Sequence, residues 1–144
     1  KTLLQHQIAS GKALEKFREM VAAQGGNPAV TETPSLMPQA SQVTTFNAPQ
    51  SGFVHELYAR EVGNALKALG GARDKKDDVL DLGAGVILHK KCGDAVSAGE
   101  PLASLYFNPP YTDTDARAAL SRAYIISETA PEPSPLIGDM IWPQ

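Results

Sequence analysis

One cysteine, Cys92, is all the thiol chemistry this sequence has. A lone thiol excludes an intrachain disulfide framework and suits a reducing compartment, so a cytoplasmic setting is expected. Long hydrophobic runs are missing too. Nothing approaches the roughly 18 consecutive apolar residues that span a bilayer, and no signal-peptide pattern opens the chain. Neither sign of charge predominates, with 13 basic against 16 acidic residues and a net charge of −3. That balance offers no general field for a polyanion, so nucleic-acid binding is not expected. An initiator methionine is lacking, and Lys1 leads straight into a helical pattern, as in a piece of a longer polypeptide. What remains is a globular composition, 42% hydrophobic and 20% charged over 144 residues. A chain of that size buries roughly two-thirds of its unfolded surface in one domain.

Leu3, Leu4 and Ile8 read as one helix, interrupted at Ser10-Gly11. Ser10 then caps a second helix in which Leu14, Phe17, Met20 and Val21 share an apolar face, and Gly25-Gly26 closes it. Residues 27–47 change texture. Pro28, Pro34 and Pro38 among polar residues predict an extended connector, with Leu36, Met37 and Val43 available to anchor it on a core. The chain thus divides into a helical segment (1–26), a connector (27–47) and a mixed domain (48–144).

Within that domain Gly52–Leu57 alternates as a strand, and Val62, Ala65, Leu66 and Leu69 form the inward face of a helix closed by Gly70-Gly71. Gly63 inside that helix points to a close backbone approach. Residues 73–81 read as a solvated charged loop, and 85–89 as a buried strand. Lys91–Asp94 and Ser97–Glu100 carry turn chemistry around a strand at 102–107. Thr112 and Asp115 have capping-box spacing ahead of a helix bearing Ala116, Ala119, Leu120 and Ala123. Tyr124–Ile126 is a short strand, and Pro131, Pro133 and Pro135 open the tail. No internal repeat is visible. The class is α+β.

Candidate chemistry is thin. His89 and Cys92 have ligand-like spacing, but a structural zinc site needs four ligands, and His6 and His55 lie far off in sequence. They read instead as a strand-end histidine and a small buried, inert thiol, although Lys90 and Lys91 beside Cys92 are the neighbours that activate one. Asp74, Asp77, Asp78 and Asp81 alternate with Arg73, Lys75 and Lys76, which is the pattern of a solvated face. Gly83-Ala84-Gly85 leads into a strand, whereas a phosphate-binding glycine turn opens a helix. No serine stands in a G-x-S-x-G elbow. The expected catalytic, cofactor-binding and metal-binding sets within this chain are all empty.

Seven segments, taken in order, carry a resemblance. They are Ser10 to Gly26, Ser51-Gly-Phe-Val54, Leu69-Gly-Gly-Ala-Arg73, Asp78-Val-Leu-Asp81, Gly85 to Asp94, Gly99-Glu-Pro-Leu-Ala103 and Ala130-Pro-Glu-Pro-Ser-Pro135. Together they resemble the carboxy-terminal part of pyrimidine-nucleoside and thymidine phosphorylases. The resemblance implies an α/β-hammerhead domain preceded by a helix of the α/β body. It also implies a pentosyltransferase that attacks the anomeric carbon of a pyrimidine nucleoside with phosphate as co-substrate, without a further cofactor. The family works as a homodimer, and its partner for this domain is the upstream α/β body.

The family's glycine-rich phosphorolytic signature has no match here, so the resemblance implies a chain inactive by itself, with Arg73 anchoring a loop. A second likeness, to biotinyl and lipoyl carriers, rests on Gly52-Phe-Val54, Gly93-Asp94 with Val96, and Gly99 with Leu102. A carrier displays a lysine on a hairpin, and none follows Leu102. A plain interaction module is the remaining alternative.

Overall fold

The computed structural model describes residues 1–73, 75–133, 135, 138 and 141. It divides into two compact units, Lys1–Gln39 and Ala40–Gln144. In the first, helix α1 (Thr2–Ala9) and helix α2 (Lys12–Ala23) are followed by two short 3-10 turns at Pro28–Thr31 and Pro34–Leu36. Ser10 does not cap α2. Its amide donates to the His6 carbonyl at 2.9 Å, so it closes α1, and Gly11 at φ +78° turns the chain into α2. Glycine reaches that left-handed conformation without the steric cost a Cβ brings.

The Gly25-Gly26 pair ends α2 as expected, with Gly25 N–H bonding the Ala22 carbonyl (3.0 Å) and Gly26 N–H that of Val21 (2.9 Å). Leu14, Phe17 and Met20 do share one stripe, and all three are exposed, as are Leu36 and Met37. These two therefore do not anchor the stretch on a core.

Nor is the whole 27–47 stretch a connector. Gln42–Asn47 is strand β1, paired antiparallel along its length with β5 (Pro101–Phe107). The prolines stop at Pro38, and the β-branched Val43, Thr44 and Thr45 suit a pleated ladder. Alternation sends Phe46 inward and leaves Val43 56% exposed.

Two three-stranded antiparallel sheets make the second unit. One has the order β1-β5-β3, with β3 at Gly85–Leu88. The other has the order β4-β2-β6, with β4 at Ala95–Val96, β2 at Gly52–Leu57 and β6 at Tyr124–Ser127. The two-residue β4 has no sequence signature of its own. β3 is an edge strand rather than a buried one, and Ile87 is half exposed because only β5 flanks it.

β5 is the spine of its sheet. Ala103, Leu105 and Phe107 face the core, and a bulge where Phe46 pairs with Ala103 but Asn47 with Pro101 turns Leu102 inward as well. The Leu102 carbonyl then accepts the His89 amide at 2.8 Å and the Tyr124 hydroxyl at 3.0 Å. The same hydroxyl reaches the Lys90 carbonyl at 3.0 Å. One phenol of β6 is thus bonded to the other sheet and to the segment leaving β3. Its ring lies 6.2 Å from that of Phe46.

Helices α3 (Ala59–Ala68) and α4 (Thr114–Ala123) pack together through small and branched residues. Ala65, Leu69, Ala116, Ala119, Leu120 and Ala123 are all buried. Alanine lets two helix backbones approach closely, and the Arg122–Glu61 ion pair (2.9 Å) closes the outer rim. The Thr112/Asp115 box does not form. Asp113 is the residue flanking α4, and its carboxylate accepts the Thr44 hydroxyl (2.7 Å) and the Arg117 Nε–H (2.6 Å). Those bonds, Thr44's first, hold Asp113 below the usual carboxylate range.

Gly63 faces open space, so no backbone approaches it. Gly70 is different. It sits at φ +88° with Tyr111 packed where a Cβ would go, and with Gly71 it caps α3 by bonds to the Lys67 and Leu66 carbonyls (both 3.0 Å). Among the described residues no helix is long and apolar enough to cross a membrane.

The two helix glycines therefore respond oppositely to substitution. Gly63→Ala raises unfolding stability by about 0.5–1 kcal/mol through helix propensity. Gly70→Ala lowers it by about 1–3 kcal/mol, because the left-handed backbone and the Tyr111 contact both resist a methyl group. Urea denaturation of the two variants checks both signs.

Tyr124→Phe removes a buried hydroxyl and costs about 1–2 kcal/mol. Burial, followed by the charges of Asp94 and Cys92, pushes the Tyr124 phenol up from 10.0 to about 12. A raised folded value means the protonated phenol is the stabilised form. Its contribution is complete below pH 10 and is lost as pH climbs through about 12. The stability gap between the native chain and Tyr124→Phe accordingly narrows across that window, measured by denaturant titration at each pH.

Candidate functional site

β2 carries a bulge. Val54 pairs with Ile126 and Glu56 with Ile125, so His55 is the extra residue between them. Bulges re-aim side chains, and His55 here joins the wall of a cavity of about 860 Å³. The cavity is lined by His55–Tyr58, by Cys92 and Gly93, and by Ala130–Pro133 of the segment leaving β6.

His55 Nδ1 lies 3.3 Å from the Ser127 hydroxyl, which donates to the Thr129 carbonyl at 2.6 Å. With its one proton committed there, Ser127 accepts from His55 Nδ1–H. That is the reverse of the polarity needed for a histidine to activate a serine. Tyr58 bonds the Glu56 carboxylate, which raises its phenol above the ordinary value. Sequence spacing gave no sign of the His55–Ser127 pair, since the residues meet only across a strand pairing with a bulge in it.

Cys92 is exposed, not buried. It lies in a tight turn closed by the Asp94 N–H to the Lys91 carbonyl (3.0 Å). The Lys91 N–H to Asp94 Oδ2 (2.7 Å) completes that turn, with Gly93 at φ +92°. The turn follows β3 and is pinned to β2 by the Gly93 N–H to the Val54 carbonyl (2.8 Å) and the Val54 N–H to the Asp94 carbonyl (2.9 Å), with the thiol left at the surface. Lys90 turns to other partners, pairing with Glu100 (2.6 Å) and donating to the Ala95 carbonyl (3.1 Å). The Lys90 ion pair and the Ser97 amide hold Glu100 below its usual range. Beside Cys92 a second, mainly apolar groove of about 440 Å³ is lined by Leu57, Ala59, Val62, Leu88 and Lys91.

The remaining candidates disperse. His89 Nε2 bonds the Ser104 hydroxyl (2.8 Å) as an exposed strand-end residue. Asp78 accepts the Lys75 amide (2.8 Å). Asp81 accepts the Gly83 amide (2.8 Å) and the Asn108 side chain (2.9 Å), so the Gly83-Ala84-Gly85 turn is held by a carboxylate and runs into β3. Asp77 and Arg73 are exposed, and Asp74 lies outside the described residues. Among the described residues no three His, Cys, Asp or Glu side chains gather in a metal-sized group. The arrangement presents grooves, and among the described residues no nucleophile stands with both a base and an oxyanion stabiliser.

The family model of the pyrimidine nucleoside phosphorylase C-terminal domain matches residues 53–127, from the second residue of β2 to the end of β6. Among curated proteins the chain is similar to the pyrimidine-nucleoside phosphorylase of Geobacillus stearothermophilus, 38% identical over 139 residues, covering 96% of this chain and 32% of that protein. It is also similar to those of Bacillus subtilis (42% over 110 residues; 76% and 25%) and Staphylococcus haemolyticus (41% over 111; 77% and 26%). The chain spans a third or less of the length of these relatives.

Because Cys92 is exposed at the rim of both grooves, it reacts with dithiobis-nitrobenzoate in the folded chain without denaturant. The native rate is expected within about tenfold of the rate in 6 M guanidinium, an order-of-magnitude allowance for the local field and access. A thousandfold protection would place the thiol inside.

Proposed function

The chain belongs to the pyrimidine nucleoside phosphorylase C-terminal domain family, and from that membership we propose that it is the supporting lobe of a pyrimidine-nucleoside phosphorylase. The whole enzyme is then a pentosyltransferase. It adds phosphate to the anomeric carbon of a pyrimidine nucleoside and releases the free base and (deoxy)ribose 1-phosphate, with phosphate as co-substrate and no additional cofactor. The observation that carries this reading is the match across β2 to β6 together with relatives that bear one enzyme name.

In this reading the lobe's task is mechanical. Its two small sheets and helix pair support the α/β-hammerhead description, and the lobe braces an α/β body that closes on the substrates. Residues 1–26 belong to that body. The exposed Leu14, Phe17 and Met20 stripe of α2 supports this, since burial of such side chains contributes about 1.5–3 kcal/mol each. The enzyme works as a homodimer in the cytoplasm, where the single exposed Cys92 stays reduced.

Purified alone, the chain is expected to release no thymine or uracil from thymidine or uridine in phosphate buffer. Mixed with the separately produced upstream portion of the Geobacillus stearothermophilus relative, it is expected to restore phosphorolysis. Base release by the chain alone would overturn the reading, and so would a failure of the two parts to associate. Intact mass addresses the carrier alternative, for which an added biotin or lipoyl group would be decisive.

A further inference from the structure

We draw no further inference here: the strongest candidate, the apolar groove beside Cys92 lined by Leu57, Ala59, Val62 and Leu88, carries nothing because nothing in the structure shows what covers it.

Discussion

The Tyr124 hydroxyl holds a position on which much of the second unit depends. β6 is hydrogen-bonded in a ladder to β2 only, and β5 to β1 and β3 only. No ladder joins the two sheets; the turn after β3 bonds to Val54 of β2 through the main chain (Gly93 N–H to the Val54 carbonyl, 2.8 Å, and Val54 N–H to the Asp94 carbonyl, 2.9 Å), and side chains add the rest. Burial of Leu102, Leu105, Phe107 and Val54 supplies the non-directional part. Tyr124 supplies direction, since its hydroxyl meets the carbonyls of Lys90 and Leu102 at 3.0 Å each. The bulge at Leu102 makes this possible by turning an extra residue of β5 inward with its carbonyl available. A buried tyrosine costs little when its polar tip is satisfied, and this one is.

A second tie runs from the helices to the first sheet. Asp113, at the start of α4, accepts from Thr44 of β1 and from Arg117 one turn along α4. Asp81 does similar work for the loop after α3, taking the Gly83 amide and the Asn108 side chain at the end of β5. Carboxylates that look like a loose acidic run are thus partly consumed in holding loops. Lys90, two residues before Cys92, is likewise engaged, with Glu100 and the Ala95 carbonyl.

A lobe built this way has its polar groups spent on architecture. Among the described residues no buried side-chain polar atom lacks a partner, and the histidine in the wall of the cavity of about 860 Å³ meets a serine with the wrong proton polarity for nucleophilic attack. The reading of a supporting lobe is consistent with that physics and with the family to which the chain belongs.

Local chemistry was legible where it is locally enforced. The Gly25-Gly26 and Gly70-Gly71 pairs could be read as helix ends because a left-handed cap needs glycine wherever the rest of the chain goes. The alternation of Gly52–Leu57 and the alanine face of α4 were legible for the same reason, as was the family resemblance, which is a matter of residue order. The α+β class and the glycine-marked ends of α2 and α3 therefore follow from residue order alone. Only the tertiary structure decided that Gln42–Asn47 is a strand, that β3 is an edge, that Cys92 is exposed and that His55 meets Ser127. Each of these depends on which strand lies alongside and in what register, and a bulge of one residue resets the register without leaving a mark in the local sequence.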